Sequence, residues 1–532
     1  MARSSIPKTA PVLLALVVLG AAPPWASAEL TDCLAPGVDD RCEAWVTSFA
    51  DPGADTHVVN GITLRPQADI VYLFGYSSHA STGPDFTTAA VSTGSGEVLW
   101  RARYQGPTQP TQFPSDHANA AVVSSDGGAL FVAGWQDLYA VPGAEPQTFK
   151  PYADMGIVAY DAVTGAELWS GSFGKPLADD RAWDVALDPE GDRVYVTGWS
   201  SGEGTGFDYV TAAFDAGSGD RLWAARYDGP FATDVESTGA PDDRPFKVRV
   251  SPDGERVFVT GWSRGPAGDY DIATVAYDSG IHDSEGARHG GEVLWVTRYD
   301  GGVRGLDGVH GMEVSPDGTL VYLAGTTSAL PAGDSCDDCD FLVVALDATT
   351  GGEEWTRRYQ GPRGNDRALY LAVAPAGDRL YVTGSSAGAQ GDWATIAYDA
   401  GTGNEVWSSA ARYTSPTPDN EDNVRGIAVS PDGSSVFVTG YSANPVFNGP
   451  PKTFLHADAV TVAYRASDGG QAWIARHNSS VAGLDTYAED LSFLPSTIAV
   501  APDGARAFVG RTFASGVVDN YQYNFGLVAY DT

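Results

Sequence analysis

The sequence predicts an all-β fold: a single eight-bladed β-propeller of four-stranded blades, closed by the N-terminal strand completing the C-terminal blade. Three observations carry this. Tryptophans at 45, 100, 169, 223, 295, 355, 407 and 473 recur at spacings of 55, 69, 54, 72, 60, 52 and 66 residues. Each interval holds the same four short segments in the same order. The last copy lacks its fourth segment, whereas the N-terminus has one to spare. A period of tens of residues without sustained helical spacing of apolar residues describes radially repeated antiparallel sheets.

The chain opens with a processing signal. Arg3 and Lys8 precede an apolar run over residues 11–22, and Ala26-Ser27-Ala28 supplies the small-x-small cleavage pattern. The run is short for a membrane span, so residues 1–28 are expected to be a secretory signal peptide rather than an uncut anchor. Residues 29–43 form an N-terminal segment, and 44–532 the propeller. The expected product is secreted, extracellular or periplasmic, without a membrane span. With 68 acidic against 32 basic residues the formal charge is −36. That surface repels nucleic acid and anionic membrane and favours cations and solubility, or reflects a salty habitat. Cys33, Cys42, Cys336 and Cys339 suit an oxidising compartment. Three pairings are open, with Cys33–Cys42 and Cys336–Cys339 the local ones. Cys336-x-x-Cys339 also has the form of a redox pair or half a metal site, but no second pair at zinc spacing accompanies it.

Within a repeat the strands run A to D from the central channel outward. Strand A ends in a tight turn, as in Val248-Arg249-Val250-Ser251-Pro252-Asp253-Gly254. Proline presets φ and glycine accepts a positive φ, so this is a hairpin connection. Strand B is apolar and β-branched, as in Val194-Tyr195-Val196-Thr197-Gly198-Trp199-Ser200. Strand C follows a loop of variable length, as in Asp271-Ile272-Ala273-Thr274-Val275-Ala276-Tyr277-Asp278. A second tight turn, Asp161-Ala162-Val163-Thr164-Gly165 in one copy, feeds strand D and its tryptophan, Trp169. The final C strand, ending at Tyr530-Asp531, has no D strand after it. Residues 44–50 around Trp45 supply one. An open solenoid would instead leave raw sheet edges at both ends.

Strand polarity selects a working face. The A–B and C–D turns are short and share one face. The B–C and D–A connections share the other and hold the length variation, as over 136–154, 230–243, 443–458 and 481–490. Two acidic series map to that face. Asp116, Asp180, Asp243, Asp307, Asp366 and Asp422 each stand eight residues before the A–B turn; Asp55 is a looser match, and the last blade offers Asp485 or Asp490. Asp85, Asp154, Asp208, Asp271, Asp340, Asp392 and Asp458 open strand C, with Asn524 in the last blade. The first series has two readings: a carboxylate ring that binds a cation, calcium above all, or aspartates that accept backbone N–H bonds at a strand entry. Repetition in nearly every blade favours the second.

The same segments place Arg181, Arg244, Arg367 and Arg425 near these aspartates, with Trp183, Phe246, His310 and Tyr370 a few residues on. They form a candidate ligand face: cations for an anion, rings for stacking. Ion pairing with the neighbouring aspartates and core packing are the plainer readings. His57, His117 and His310 stand at unequal offsets in separate blades, which disfavours a shared metal. No nucleophile elbow, phosphate loop or zinc-ligand cluster is present, so no catalytic residue is assigned.

Two resemblances follow from these motifs. The stretch from Asp179 through Trp183, Pro189 and Val194 to Gly198, with Gly268-Asp269-Tyr270-Asp271, resembles the bacterial SBBP-type β-propeller repeat over nearly all of 44–532. It implies a secreted or surface propeller. The Asp161-to-Trp169 motif resembles the tryptophan-docking repeat of eight-bladed PQQ quinoproteins. That resemblance implies an oxidoreductase with a vicinal disulfide and nearby calcium, but Asp337 and Asp338 separate Cys336 from Cys339 here. The leading expectation is a monomeric, noncatalytic scaffold that binds a protein, peptide or glycan and needs no cofactor. A PQQ quinoprotein-like oxidoreductase and an extracellular lyase or hydrolase are the alternatives.

Overall fold

The structure is a computed structural model. It describes residues 43–532 apart from 51–52, 68, 80–81, 107–114, 139–151, 175–178, 203–205, 231–241, 266–268, 281–289, 302–304, 329–338, 363, 387–391, 415–421, 446–454, 478–496 and 518–519. The expected signal peptide, most of the N-terminal segment, and Cys33, Cys42, Cys336, Asp485 and Asp490 lie outside the described residues. Much of the four long connections does too.

Eight four-stranded antiparallel sheets follow one another along the chain. Seven are built from consecutive strands, and in the eighth Glu43–Phe49 pairs with Asn520–Asp531. Successive A strands touch around the ring, including those of blades 8 and 1, so the propeller is closed. Among the described residues no helix is long and apolar enough to cross a membrane. Strands B and C are buried on both faces, which is why they read as β-branched and alanine-rich runs. In four blades a buried threonine pair crosses the B–C ladder, as in Thr197–Thr211 at 3.0 Å and Thr260–Thr274 at 2.9 Å.

Each D-strand tryptophan docks on the C–D turn of the next blade. The Trp169 Nε1 donates to the Ala216 carbonyl at 2.8 Å, and its ring lies against Gly219. A Cβ on Gly219 would stand 2.7 Å from the indole, and its φ is 76°, so only glycine closes this turn under the ring. The Trp45 indole does the same across the seam, donating to Thr93 O at 3.1 Å and covering Gly96. Trp473 is the exception. Blade 8 takes its outer strand from the other end of the chain and has no C–D turn, so Trp473 packs between Phe437 and Tyr530.

The A strands carry a second recurrent device. In the first seven blades a β-bulge shifts their register against strand B, as between Ala182 and Asp184. The bulge presses the A backbone against the glycine of the B strand. A Cβ on Gly198 would stand 1.8 Å from the Arg181 carbonyl oxygen. The extra residue in each bulge is Asn60, Asn119, Trp183, Phe246, His310, Leu369 or Arg425, and the Asn119 amide donates to Ala182 O of the next blade at 2.9 Å.

Candidate functional site

The strand-entry aspartates are buried, between 0% and 4% exposed. Asp116 accepts from Gly106 N at 2.9 Å, Asp307 from Gly301 N at 2.6 Å and Asp366 from Gly361 N at 2.5 Å. Asp243 accepts from Gly229 N at 2.7 Å and from Arg264 N at 3.0 Å. Each holds the glycine of the incoming D–A connection at its own blade junction. Burial raises the Asp243 pKa and carries that of Asp307 up to about 6, because the amide bonds only partly replace lost water. Asp180 and Asp422 are buried alike.

Four aspartates of the strand-C series are paired with arginines. Asp85 accepts from Arg103 at 2.9 Å, Asp271 from Arg298 at 2.7 Å and Asp392 from Arg412 at 3.0 Å; Asp208 pairs with Arg226. These arginines also reach back to the preceding blade. Arg298 donates to the Tyr227 hydroxyl at 2.9 Å, Arg358 to Tyr299 at 2.9 Å and Arg412 to Tyr359 at 3.1 Å. This staple escapes the sequence reading, although an arginine three residues after most blade tryptophans announces it. Blade 2 breaks the pattern: Ser172 stands at the arginine's register position. Without that partner, burial and the neighbouring Asp180 raise the Asp154 pKa to about 6.

Two carboxylate trios, Asp208, Asp228 and Asp243, and Asp269, Asp271 and Asp300, present ligand atoms within 4.8 Å of one another. They have the oxygen chemistry of a calcium site, and among the described residues Asp243 is the one member of the expected ring that joins a trio. In each trio one member is already neutralised by an arginine, Arg226 or Arg298.

Five of the eight expected ligand-face residues, Arg181, Trp183, Arg244, Phe246 and His310, fall in one row of contacts around the channel mouth. Arg181 pairs with Asp179 at 2.9 Å and lies over the Trp135 ring of the preceding blade at 4.5 Å. Arg244 pairs with Asp242 at 3.1 Å and lies over Trp199 and Phe207. Trp183 packs at 5.0 Å on Trp199 and meets Phe246 edge-on; Phe246 packs at 4.9 Å on Trp262, which meets His310 edge-on at 6.2 Å. On the blade 1 side the row continues through Trp135, His117 and Tyr76, with His117 4.2 Å from Trp135 and 4.0 Å from Tyr76. Burial, with Arg181 adding to it, pushes the His117 pKa down to about 3, so its ring is neutral. Trp135, Trp199, Trp262 and Tyr76 are the members that sequence reasoning missed, and their signal was the aromatic after the B-strand glycine.

Beyond blade 5 the row changes character. Arg425 lies over Tyr441 at 5.3 Å, and Tyr370 is held protonated by burial. Arg367 is exposed and makes no hydrogen bond or ion pair among the described residues. Deeper in the channel Arg249 joins Asp184 at 3.0 Å to Glu313 at 2.9 Å, tying three A strands together. Cys339 is buried and disulfide-bonded. His57 pairs with Ser77 Oγ at 2.7 Å.

A closed ring of eight blades, with a docked tryptophan at seven of its junctions, defines a PQQ-type β-propeller. The chain belongs to the family described as "Outer membrane protein assembly factor BamB", which it matches over residues 84–244 and 287–447, together more than half of its length. No curated protein matches it. Among solved structures it is similar to BamB from Moraxella catarrhalis, at 14% identity and TM-score 0.46 over 92% of this chain and 100% of that one. It is also similar to the Dos1 propeller, at 9% identity and TM-score 0.51 over 92% and 95%. A third is quinohemoprotein alcohol dehydrogenase ADHIIG from Pseudomonas putida HK5, at 13% identity and TM-score 0.50 over 94% and 78%. At these identities the second and third likenesses report the fold alone.

Proposed function

We propose that this protein is a secreted, noncatalytic binding propeller that engages a protein, peptide or glycan on the face carrying its B–C and D–A connections. The observation that carries the reading is the continuous row of rings and guanidinium groups from Tyr76 to His310 at that mouth. Its partly exposed rings, Tyr76, Trp135, Trp183 and Trp262, offer flat apolar surface on a footing of the buried Trp199 and Phe246, and with the fixed cations they have little conformational freedom to lose, which suits recognition more than proton transfer. Its two histidines support this, since both are held neutral with pKa values near 3. The family description, an assembly factor, accords with a protein that works by contact.

The test is a binding screen of the full chain against glycan and peptide arrays, followed by surface plasmon resonance on the hits. An R181A/R244A double variant should lose at least about tenfold in affinity, the loss of one or two charge-assisted contacts. Leu168 and Leu222, exposed near the short-turn face at 54% and 46%, supply the control. Loss of binding in L168D/L222D with R181A/R244A unaffected would move the site to the opposite face and overturn the reading. Dye-linked alcohol oxidation after loading with PQQ and calcium would overturn its noncatalytic part.

A further inference from the structure

Three consecutive blades place Lys247, His310 and Arg367 on adjacent A strands, Arg244–Val250, Gly308–Val314 and Asp366–Val373. The three strands touch in that order around the channel. Arg367 occupies the position of Arg181 and Arg244, directly after the strand-entry aspartate. Both restraints that hold those two are missing from it. The residue before the aspartate is Asn365 rather than an acid, and the preceding blade offers Thr326 where Trp135 and Trp199 stand in theirs. Its guanidinium is therefore exposed, with no ring to stack on and no carboxylate paired with it among the described residues.

Lys247 is left over in a different way. The nearby carboxylates, Asp184 and Glu313, are both taken by Arg249, and Asp184 also accepts from Val248 N at 3.0 Å. The Lys247 ammonium makes no hydrogen bond or ion pair among the described residues. Between the two cations lies His310. Its Nε2 is 3.5 Å from Thr326 Oγ1, its ring meets Trp262 edge-on, and burial plus the charges of Arg367 and Lys247 keep it neutral, with a pKa down to about 3. Burial likewise lowers the Lys247 pKa against the pull of Asp184 and Glu313. In a chain of net charge −36, two cations that make no hydrogen bond or ion pair thus flank a neutral imidazole beside Trp262, with Asp184 and Glu313 acting on Lys247 only from beyond ion-pair distance.

We propose that Lys247, Arg367 and His310 form a seat for a ring-borne carboxylate, the hexuronate unit of an acidic glycan, with the partly exposed Trp262 as its apolar wall. One carboxylate bridges a lysine and an arginine from the strands on either side of the His310 strand, whereas a dianion would be opposed by Asp184 and Glu313 close behind. The sugar ring lies against the Trp262 indole. The inference rests on the mouth being the binding face, and it narrows the ligand class there to acidic glycans.

Isothermal titration of the full chain with glucuronate, against glucose and acetate, tests it. Glucuronate should bind at least about tenfold more tightly than either, and R367Q, which lies on an exposed strand entry, should remove that preference. Equal affinities for glucuronate and glucose, or an R367Q protein that binds like the parent, would overturn the seat. A second readout does not depend on variant folding. The chain's lysines are Lys8, Lys150, Lys175, Lys247 and Lys452. Acetylation at pH 7 followed by peptide mass spectrometry should find Lys247 modified, and glucuronate should suppress that modification about tenfold in the parent but not in R367Q. Unchanged labelling with glucuronate present would overturn the assignment of Lys247. If array ligands still bind through Arg181 and Arg244 while R367Q changes nothing, the binding face stands and the uronate seat falls. If neither pair of variants matters, both fall.

Discussion

The closure of the ring can be tested at Trp45. This residue holds the only junction at which a D strand reaches its blade from the opposite end of the chain. Its indole donates to Thr93 O, covers Gly96 and packs at 5.9 Å on Phe508. Trp169 is a matched control. It donates to Ala216 O, covers Gly219 and packs at 5.9 Å on Phe131, but its strand is continuous with the rest of its blade. Truncating either half-buried indole to alanine removes about 3 kcal/mol of packing and bonding. In a repeat array that loss stays with the junction that suffers it. At the seam it acts on a strand held by ladder bonds, the Phe49–Phe525 stack at 5.5 Å and a bond from Arg101 to Ala50 O at 3.0 Å. The assay is hydrogen exchange by mass spectrometry on peptides covering 43–49 and 520–531. W45A should raise exchange there about a hundredfold, the equivalent of 3 kcal/mol of local opening, and W169A should leave those peptides unchanged. Parent-like exchange at 520–531 in W45A would refute closure by this strand, as would equal opening there in both variants.

Gly198→Ala should be among the most damaging small substitutions, at about 3 kcal/mol or more or failure to fold, because its Cβ would meet the Arg181 carbonyl at 1.8 Å. Gly217→Ala, with nothing nearer than 3.5 Å, should stay within about 0.5 kcal/mol, and urea melts of the two compare them. Arg298→Met should lose about 3 kcal/mol by stranding Asp271 and releasing Tyr227, whereas Arg465→Met, whose pair with Asp468 is exposed, should lose under about 0.5 kcal/mol in the same melts. Asp154 titrates near 6 in the folded chain against 3.8 ordinarily, so the folded state holds its proton more tightly than the unfolded one. Stability from this group therefore falls as pH rises from about 4 to about 6, and the penalty is complete above that. Asp154→Asn should raise the melting midpoint at pH 7 and leave it unchanged at pH 4; a gain equal at both would show that the carboxyl charge is not the cause.

The repeat made most of the fold legible. Tryptophan, Ser-Pro-Asp-Gly and Asp-x-x-Thr-Gly each occupy positions that every junction needs, so their recurrence betrays a local geometric demand. The orphaned Trp45 completed the topology. Legibility ended where partners come from different blades. That Arg298 reaches Tyr227 of blade 3 as well as its own Asp271 depends on blade spacing, which no period in the sequence states. The aspartate series illustrates the opposite difficulty. It was visible at once, but whether Asp116 or Asp366 faces a ligand or an amide is decided by a few ångströms of loop backbone. Trp135, Trp199 and Trp262 went unread as site residues because a tryptophan in an apolar strand looks like core until its neighbour across the blade is known to be Arg181, Arg244 or His310.

Uniformity and departure within the repeat carry different information. Where the copies agree, the residue answers a demand that every blade makes, as the B-strand glycine does beneath the bulge. The bulged residue itself answers none, and it varies: Asn60 and Asn119, then Trp183, Phe246 and His310, then Leu369 and Arg425. The asparagines bond the next blade's backbone, Asn60 to Ala118 O and Asn119 to Ala182 O. From Trp183 to His310 the same position instead carries rings in mutual contact with Trp199 and Trp262. A scaffold needing only closure could have kept asparagine throughout. The replacement of a bonding amide by rings in three consecutive blades, beside a lysine and an arginine without partners, concentrates the departures on one arc of the mouth. Substituting Trp183 and Phe246 by asparagine should therefore preserve the ring, since the bulge accepts that residue in blades 1 and 2, while weakening any ligand that depends on the arc. A double variant that melts far below the parent would show that the rings serve packing instead.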